Sequence, residues 1–157
     1  ISALTVGIGF IFHELAHKIV AQRFGCFAEF RAFNGMLMLA VILSFLGFIF
    51  AAPGAVMIAG PVGRRRNGKI AVSGPVTNLV LAVVFLGIFS LYPTGFLGTF
   101  SRYGFMINTW LALFNMIPLW QLDGKKVLAW SKPIYFGVLA GGFALHVVAT
   151  ALPRLLG

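Results

Sequence analysis

Apolar residues run through this chain in long blocks broken by short polar interruptions, and the blocks set its outline. The first block extends from Ile1 to about Phe24 and closes at Gly25, a C-cap signal. A short polar patch follows, from Cys26 to Asn34, containing Glu29 and Arg31. Met36–Ala52 is a second apolar run closed by Pro53-Gly54, at the lower length limit for a spanning helix. Ala55–Gly63 is small and apolar, and Arg64–Lys69 reads as a basic loop. A third block runs from Ile70 to Tyr92, a fourth from Tyr103 to about Trp120, and a fifth from Pro133 to Leu152, where Pro153 is expected to stop it.

Composition turns these blocks into membrane segments. Of 157 residues, 60% are hydrophobic and 10% charged, and the mean hydropathy is +0.98. Soluble domains carry about 25% charged residues, so a water-facing surface cannot be built from this chain. The net charge of +9 arises because acids are scarce. Arginine and lysine lie between the apolar blocks, so Arg64-Arg65-Arg66 reads as a membrane-flank anchor and not as a nucleic-acid patch. The lone Cys26 excludes an intramolecular disulfide. The chain opens at Ile1, without methionine and already inside an apolar run.

Charge also bears on topology. If Met36–Ala52 spans the membrane, the positive charges divide almost evenly and Asp123 falls on the face opposite His13. If the stretch from Met36 to Gly63 instead dips in and returns, Lys18, Arg23, Arg31, Arg64, Arg65, Arg66, Lys69, Lys125, Lys126 and Lys132 share one side, with Arg102 and Arg154 on the other. The second arrangement has the stronger positive-inside bias and brings Asp123 to the depth of the first block's histidines. The expectation is an all-α polytopic membrane protein of about four transmembrane helices, with a re-entrant or short β hairpin over residues 35–63 between the first and second. Residues 1–157 form a single core: helices over 1–24, 70–92, 103–130 and 133–152, plus the hairpin.

Within the first block stands His13-Glu14-Leu15-Ala16-His17. On a helix the two histidines lie about 40° apart, one turn above the other, and can reach a single metal ion. Glu14 is rotated roughly 60° from His17, away from the ligand position but suited to hydrogen-bond a water, as a general base does in zinc peptidases. A chance match is expected on the order of once per thousand chains of this composition. A catalytic zinc takes three protein ligands, and the remaining candidates are Asp123, Glu29, His146 and Cys26. Asp123 leads, because Pro118 breaks the helix ahead of it and Gly124 frees the backbone after it. Glu29 also reads as a surface charge, His146 as a polar partner within the bundle, and Cys26 as a small packing residue. Asn78 reads as interhelical packing within Gly74-Pro75-x-x-Asn78, and Asn115 equally as packing or as a donor to a reacting oxyanion.

The H-E-x-x-H of the first block, Gly74-Pro75-Val76-Thr77-Asn78, and Asn115-x-x-Pro118-x-x-x-x-Asp123-Gly124 together resemble the three signature helices of the site-2 protease family of intramembrane zinc metalloproteases. The resemblance covers the chain from the first helix to Lys126. It implies one zinc per chain held by His13, His17 and Asp123, with Glu14 as catalytic base and Asn115 beside the active site. It further implies cleavage of transmembrane-helix proteins within the bilayer, toward the cytosolic side. Trp120-Gln121 stands where many members have a proline-rich run, and the segments after the second motif leave no room for a PDZ domain. The competing readings are a metal-ion transporter, which usually shows repeat symmetry and ionisable residues along a pore, or a non-catalytic membrane binding protein.

Overall fold

In a computed structural model, which describes residues 1–32, 54–59 and 62–155, the chain forms five helices and one two-stranded antiparallel sheet among the described residues. The order is α1 (Ser2–Arg23), β1 (Phe27–Ala32), β2 (Gly54–Ala59), α2 (Arg64–Leu91), α3 (Gly95–Asn115), α4 (Asp123–Trp130) and α5 (Lys132–Leu155).

α1 ends where the sequence signals it. Gly25 takes φ +72°; its N–H donates to the Gln22 carbonyl at 2.9 Å and that of Cys26 to the Ala21 carbonyl at 3.1 Å. These are the two bonds of a Schellman cap, which needs a left-handed residue that glycine adopts without a Cβ clash. Ala21, Cys26 and Ile70 pack together beside the cap, tying it to α2. Gly25→Ala is expected to cost about 1–2 kcal/mol, read as a lower thermal unfolding midpoint of the purified protein. An unchanged midpoint would show that the cap contributes nothing.

The polar patch after α1 is a strand rather than a loop. β1 pairs with β2 in antiparallel register, Phe27 opposite Ala59 and Ala32 opposite Gly54. The arms of the hairpin therefore reach back to Phe27, earlier than the expected start at residue 35. The expected apolar run Met36–Ala52 lies outside the described residues, apart from which its two flanks are joined by this pairing.

Three helix boundaries also differ from the sequence reading. α2 starts at Arg64, so the basic stretch Arg64–Lys69 forms its first turns rather than a loop. Cations are unfavourable at a helix N-terminus, but Arg64 Nε donates to the Ala129 carbonyl near the C-terminus of α4, where a cation is favoured. α3 begins at Gly95, eight residues before the apolar block expected from Tyr103. Its glycine, serine and threonine look loop-like, yet Thr99 Oγ1 donates to the Gly95 carbonyl and Ser101 Oγ to that of Leu97, which hides their polarity. Phe100 meets Phe85 of α2 edge-on at 5.6 Å. The fourth block divides: α3 stops at Asn115, a turn crosses Pro118, and α4 starts at Asp123. At the far end α5 continues through Pro153 to Leu155.

α2 is the central staff, in contact with each of the other four helices. Polar side chains are buried among the apolar core residues, and large apolar side chains face outward. Thr5, His13, His17, Asn78, Ser101, Asn108, Thr109 and Asp123 are buried. Leu4, Ile11, Phe12, Leu15 and Ile19 on α1, Val80, Val83 and Val84 on α2, and Phe96, Met106 and Trp110 on α3 face outward. Among the described residues, two helices, Ala3–Arg23 and Arg64–Leu91, are long and apolar enough to cross a membrane, and the Lys132–Val148 part of α5 is a shorter apolar segment.

Candidate metal centre

The helical spacing of His13 and His17 points both imidazoles inward, toward α2, where both are buried. Their Nε2 atoms lie 3.0 Å apart. Asp123 Oδ2 completes a triangle, 3.2 Å from His13 Nε2 and 3.0 Å from His17 Nε2. A four-coordinate zinc with bonds of about 2.0–2.1 Å sets its donor atoms about 3.3–3.4 Å apart, so the triangle is close to one face of that tetrahedron.

Tautomers follow from the other ring nitrogens. His13 Nδ1 lies 2.6 Å from Asn78 Oδ1, and Asn78 Nδ2 donates to the Gly9 carbonyl and to Asn108 Oδ1, both at 3.0 Å. Asn78 Oδ1 is therefore an acceptor, and His13 carries its proton on Nδ1. His17 Nδ1 lies 2.8 Å from the Ile70 carbonyl, which can only accept, so it also carries the proton there. Ser73 Oγ donates to the same carbonyl at 2.6 Å and lies 3.3 Å from His17 Nδ1. Both Nε2 lone pairs are thus turned toward each other and toward a carboxylate oxygen. One proton could bridge one pair of these atoms; a divalent cation satisfies all three at once. The donor chemistry fits a metal.

Gly74 supplies the space. A Cβ built on it would stand 2.5 Å from His13 Nε2 and 2.6 Å from His17 Nε2. Pro75 follows inside α2 and withdraws an N–H from the helix ladder. Gly74-Pro75-x-x-Asn78 reads in the sequence as close helix packing, and it is that: Gly74 abuts the imidazoles of α1, and Asn78 hydrogen-bonds to both α1 and α3; the sequence does not show that the packing partners are His13 and His17.

Asp123 is delivered by the turn between α3 and α4. α3 ends three residues before Pro118, whose predecessor is biased out of the helical region. Trp120 adopts φ +45°, and the Leu122 N–H donates to the Leu119 carbonyl at 3.1 Å. Asp123 then opens α4, where the helix dipole favours an anion. Gly124 was expected to free the backbone, but it lies within α4, and its role is contact: a Cβ there would collide with the Met116 carbonyl. Lys126 Nζ lies 3.7 Å from Asp123 Oδ1.

Glu14 is half-buried, and its carboxylate, with one nitrogen from each of His13 and His17, forms a group whose atoms all lie within 4.8 Å of one another. Asn115 is not brought into the cluster; it ends α3, half-buried, with Nδ2 donating to the Leu111 carbonyl at 2.9 Å. His146 is exposed on α5, Cys26 is buried beside the α1 cap, and Glu29 sits on β1 opposite Met57. Sequence reasoning missed Asn108, Ser73 and the Ile70 carbonyl. The first two are ordinary polar residues in helices, and a backbone carbonyl leaves no mark in a sequence.

The chain is 43% identical over 153 residues to "Putative zinc metalloprotease MJ0611" of Methanocaldococcus jannaschii, covering 94% of this chain and 80% of that protein. It is 31% identical to "Putative zinc metalloprotease YwhC" of Bacillus subtilis, over 80% of this chain and 66% of that protein. To "Zinc metalloprotease MJ0392" of Methanocaldococcus jannaschii it is 23% identical, over 77% of this chain and 31% of that protein. No protein-family model matches the chain, and no solved structure does. These relatives are named as zinc metalloproteases, the first of them matches 94% of this chain, and His13, His17 and Asp123 come together here, so the chain belongs to the family of zinc metalloproteases that the relatives represent.

Proposed function

We propose that this chain is an intramembrane zinc metalloendopeptidase of the site-2 protease type. It would hydrolyse a peptide bond within or near a transmembrane segment of another membrane protein. The observation that carries the reading is the convergence of His13 Nε2, His17 Nε2 and Asp123 Oδ2 within 3.2 Å of one another, inside a bundle whose outward faces on α1, α2 and α3 are apolar. Contiguous apolar surface of this kind is rare on soluble monomers and suits a lipid bilayer. The protein would be multi-pass, with the site toward the cytosolic side where the positive charges gather.

His13, His17 and Asp123 would hold one zinc, leaving a fourth position open. When bound, zinc supplies Lewis acidity, polarising the scissile carbonyl and making water nucleophilic near neutral pH. Glu14 accepts the proton that the attacking water gives up and returns it to the leaving amine nitrogen. Asn78 and the Ile70 carbonyl hold the imidazoles in the tautomer that presents Nε2. Asn115 would donate to the developing oxyanion after releasing the Leu111 carbonyl. An unwound substrate segment could pair with an edge of the two-stranded β1–β2 sheet. The gathering of His13, Glu14, His17 and Asp123 at one point, with no second group of such donors identified among the described residues, favours hydrolysis over transport.

The test is cleavage of a purified transmembrane-segment substrate by the reconstituted protein, with metal content measured in parallel. Cleavage is expected to stop on chelation and return with zinc. About one zinc per chain is expected in the wild type and in His146→Ala, and none in His13→Ala or Asp123→Ala. Zinc without cleavage of any transmembrane segment would reduce the protein to a metal-binding membrane protein.

A further inference from the structure

Behind His13 the hydrogen bonds continue across three helices. His13 Nδ1 donates to Asn78 Oδ1 at 2.6 Å. The two hydrogens of Asn78 Nδ2 go to the Gly9 carbonyl on α1 and Asn108 Oδ1 on α3, each at 3.0 Å. Asn108 Nδ2 in turn donates to the Gly104 carbonyl at 2.8 Å. Asn78 and Asn108 are each 0% exposed. Each amide has one chemically allowed orientation: the Gly104 carbonyl fixes Asn108, and Asn108 with the Gly9 carbonyl fixes Asn78. Were Asn78 to turn over, its NH2 would face His13 Nδ1–H, donor against donor. The ring would then have to move its proton to Nε2, the atom required for the metal. Gly9 admits the arrangement, since a Cβ there would stand 2.8 Å from Asn108 Oδ1.

We propose that Asn78 and Asn108 form a two-amide relay that sets the tautomer and ring orientation of His13, so that α3, through Asn108, tunes metal affinity without touching a metal ligand. This inference rests on the zinc reading above. Both asparagines are positioning residues. The relay differs from ordinary buried packing in one measurable respect: Asn108 can act on the metal only through Asn78, so the two substitutions cannot add.

The experiment measures zinc affinity by chelator competition on the purified full chain. Asn78→Ala is expected to weaken binding by about 10–100-fold, the usual effect of losing a partner that orients a ligand. Asn108→Ala is expected to weaken it by at least roughly threefold, and the double variant to match Asn78→Ala alone. Asn108→Asp should restore near wild-type affinity. Burial favours its neutral form, whose O–H can donate to the Gly104 carbonyl while its C=O accepts from Asn78. If Asn78→Ala does not fold, the two Asn108 variants decide the matter. Wild-type affinity in Asn108→Ala, no rescue by aspartate, or additive losses in the double variant would overturn the relay while leaving the zinc site standing. A wild type that binds no zinc would overturn the zinc reading and the relay with it.

Discussion

Glu14→Gln is expected to hold zinc as the wild type does and to lose about 10²–10⁴-fold in cleavage rate, the usual contribution of a positioned acid–base group. Glutamine keeps the size of the side chain and its place beside the imidazoles, so nothing in the ligand triangle should shift. What it lacks is a basic oxygen. The Glu14 carboxylate lies within 4.8 Å of a nitrogen of each imidazole, near enough to hydrogen-bond a water at the proposed metal position, and ligation is the alternative that the assay must separate from it. Paired assays on one preparation, elemental analysis and substrate cleavage, separate the two roles. Loss of zinc along with activity would make Glu14 a ligand. Undiminished cleavage would remove it from the chemistry and point to another base.

Gly74→Ala should eliminate metal binding with the smallest change available in the chain. The added methyl would stand 2.5 Å from His13 Nε2 and 2.6 Å from His17 Nε2, closer than any ordinary van der Waals contact. The rings cannot swing aside cheaply, since Asn78 and the Ile70 carbonyl hold their far nitrogens at 2.6 and 2.8 Å. Either α1 and α2 separate or the imidazoles leave their hydrogen bonds, and both routes break the triangle. Zinc affinity is expected to fall by more than about 100-fold, beyond the effect of losing an orienting partner. Gly87→Ala is the control on the same helix: a Cβ there meets nothing within 4 Å, and zinc should be retained. If Gly74→Ala binds zinc normally, the two helices are less closely seated than the structure places them.

The parts of this site that could be read in advance share one property: they depend on local geometry. The spacing of His13, Glu14 and His17 fixes their relation on any helix, and Pro118 ahead of Asp123 announces a chain break. Gly25 likewise marks the end of α1. The parts that escaped depend on what stands opposite. Asn78 looks like any asparagine in an apolar helix, and only the arrival of His13, 65 positions away in sequence, gives it a task. Gly74 likewise reads as packing, with nothing to name the imidazoles as what it packs against. The boundaries of α2 and α3 were misjudged for the converse reason. Arg64 and the glycine-rich start of α3 have poor local credentials, and contacts with α4 and with Phe85 override them. The early strand β1 was hidden because Glu29 and Arg31 give it a loop-like composition.

His17 and its partner Asp123 are 106 positions apart in the sequence, which bears on how the protein is born. At about 5–20 residues per second, a ribosome needs roughly 5–20 s to pass from the second histidine to the aspartate. Through that interval the nascent chain offers His13, Glu14 and His17 without Asp123. The proposed three-ligand set is therefore completed late in synthesis, once Asp123 has been made and the turn after α3 has met α1, rather than growing with the chain.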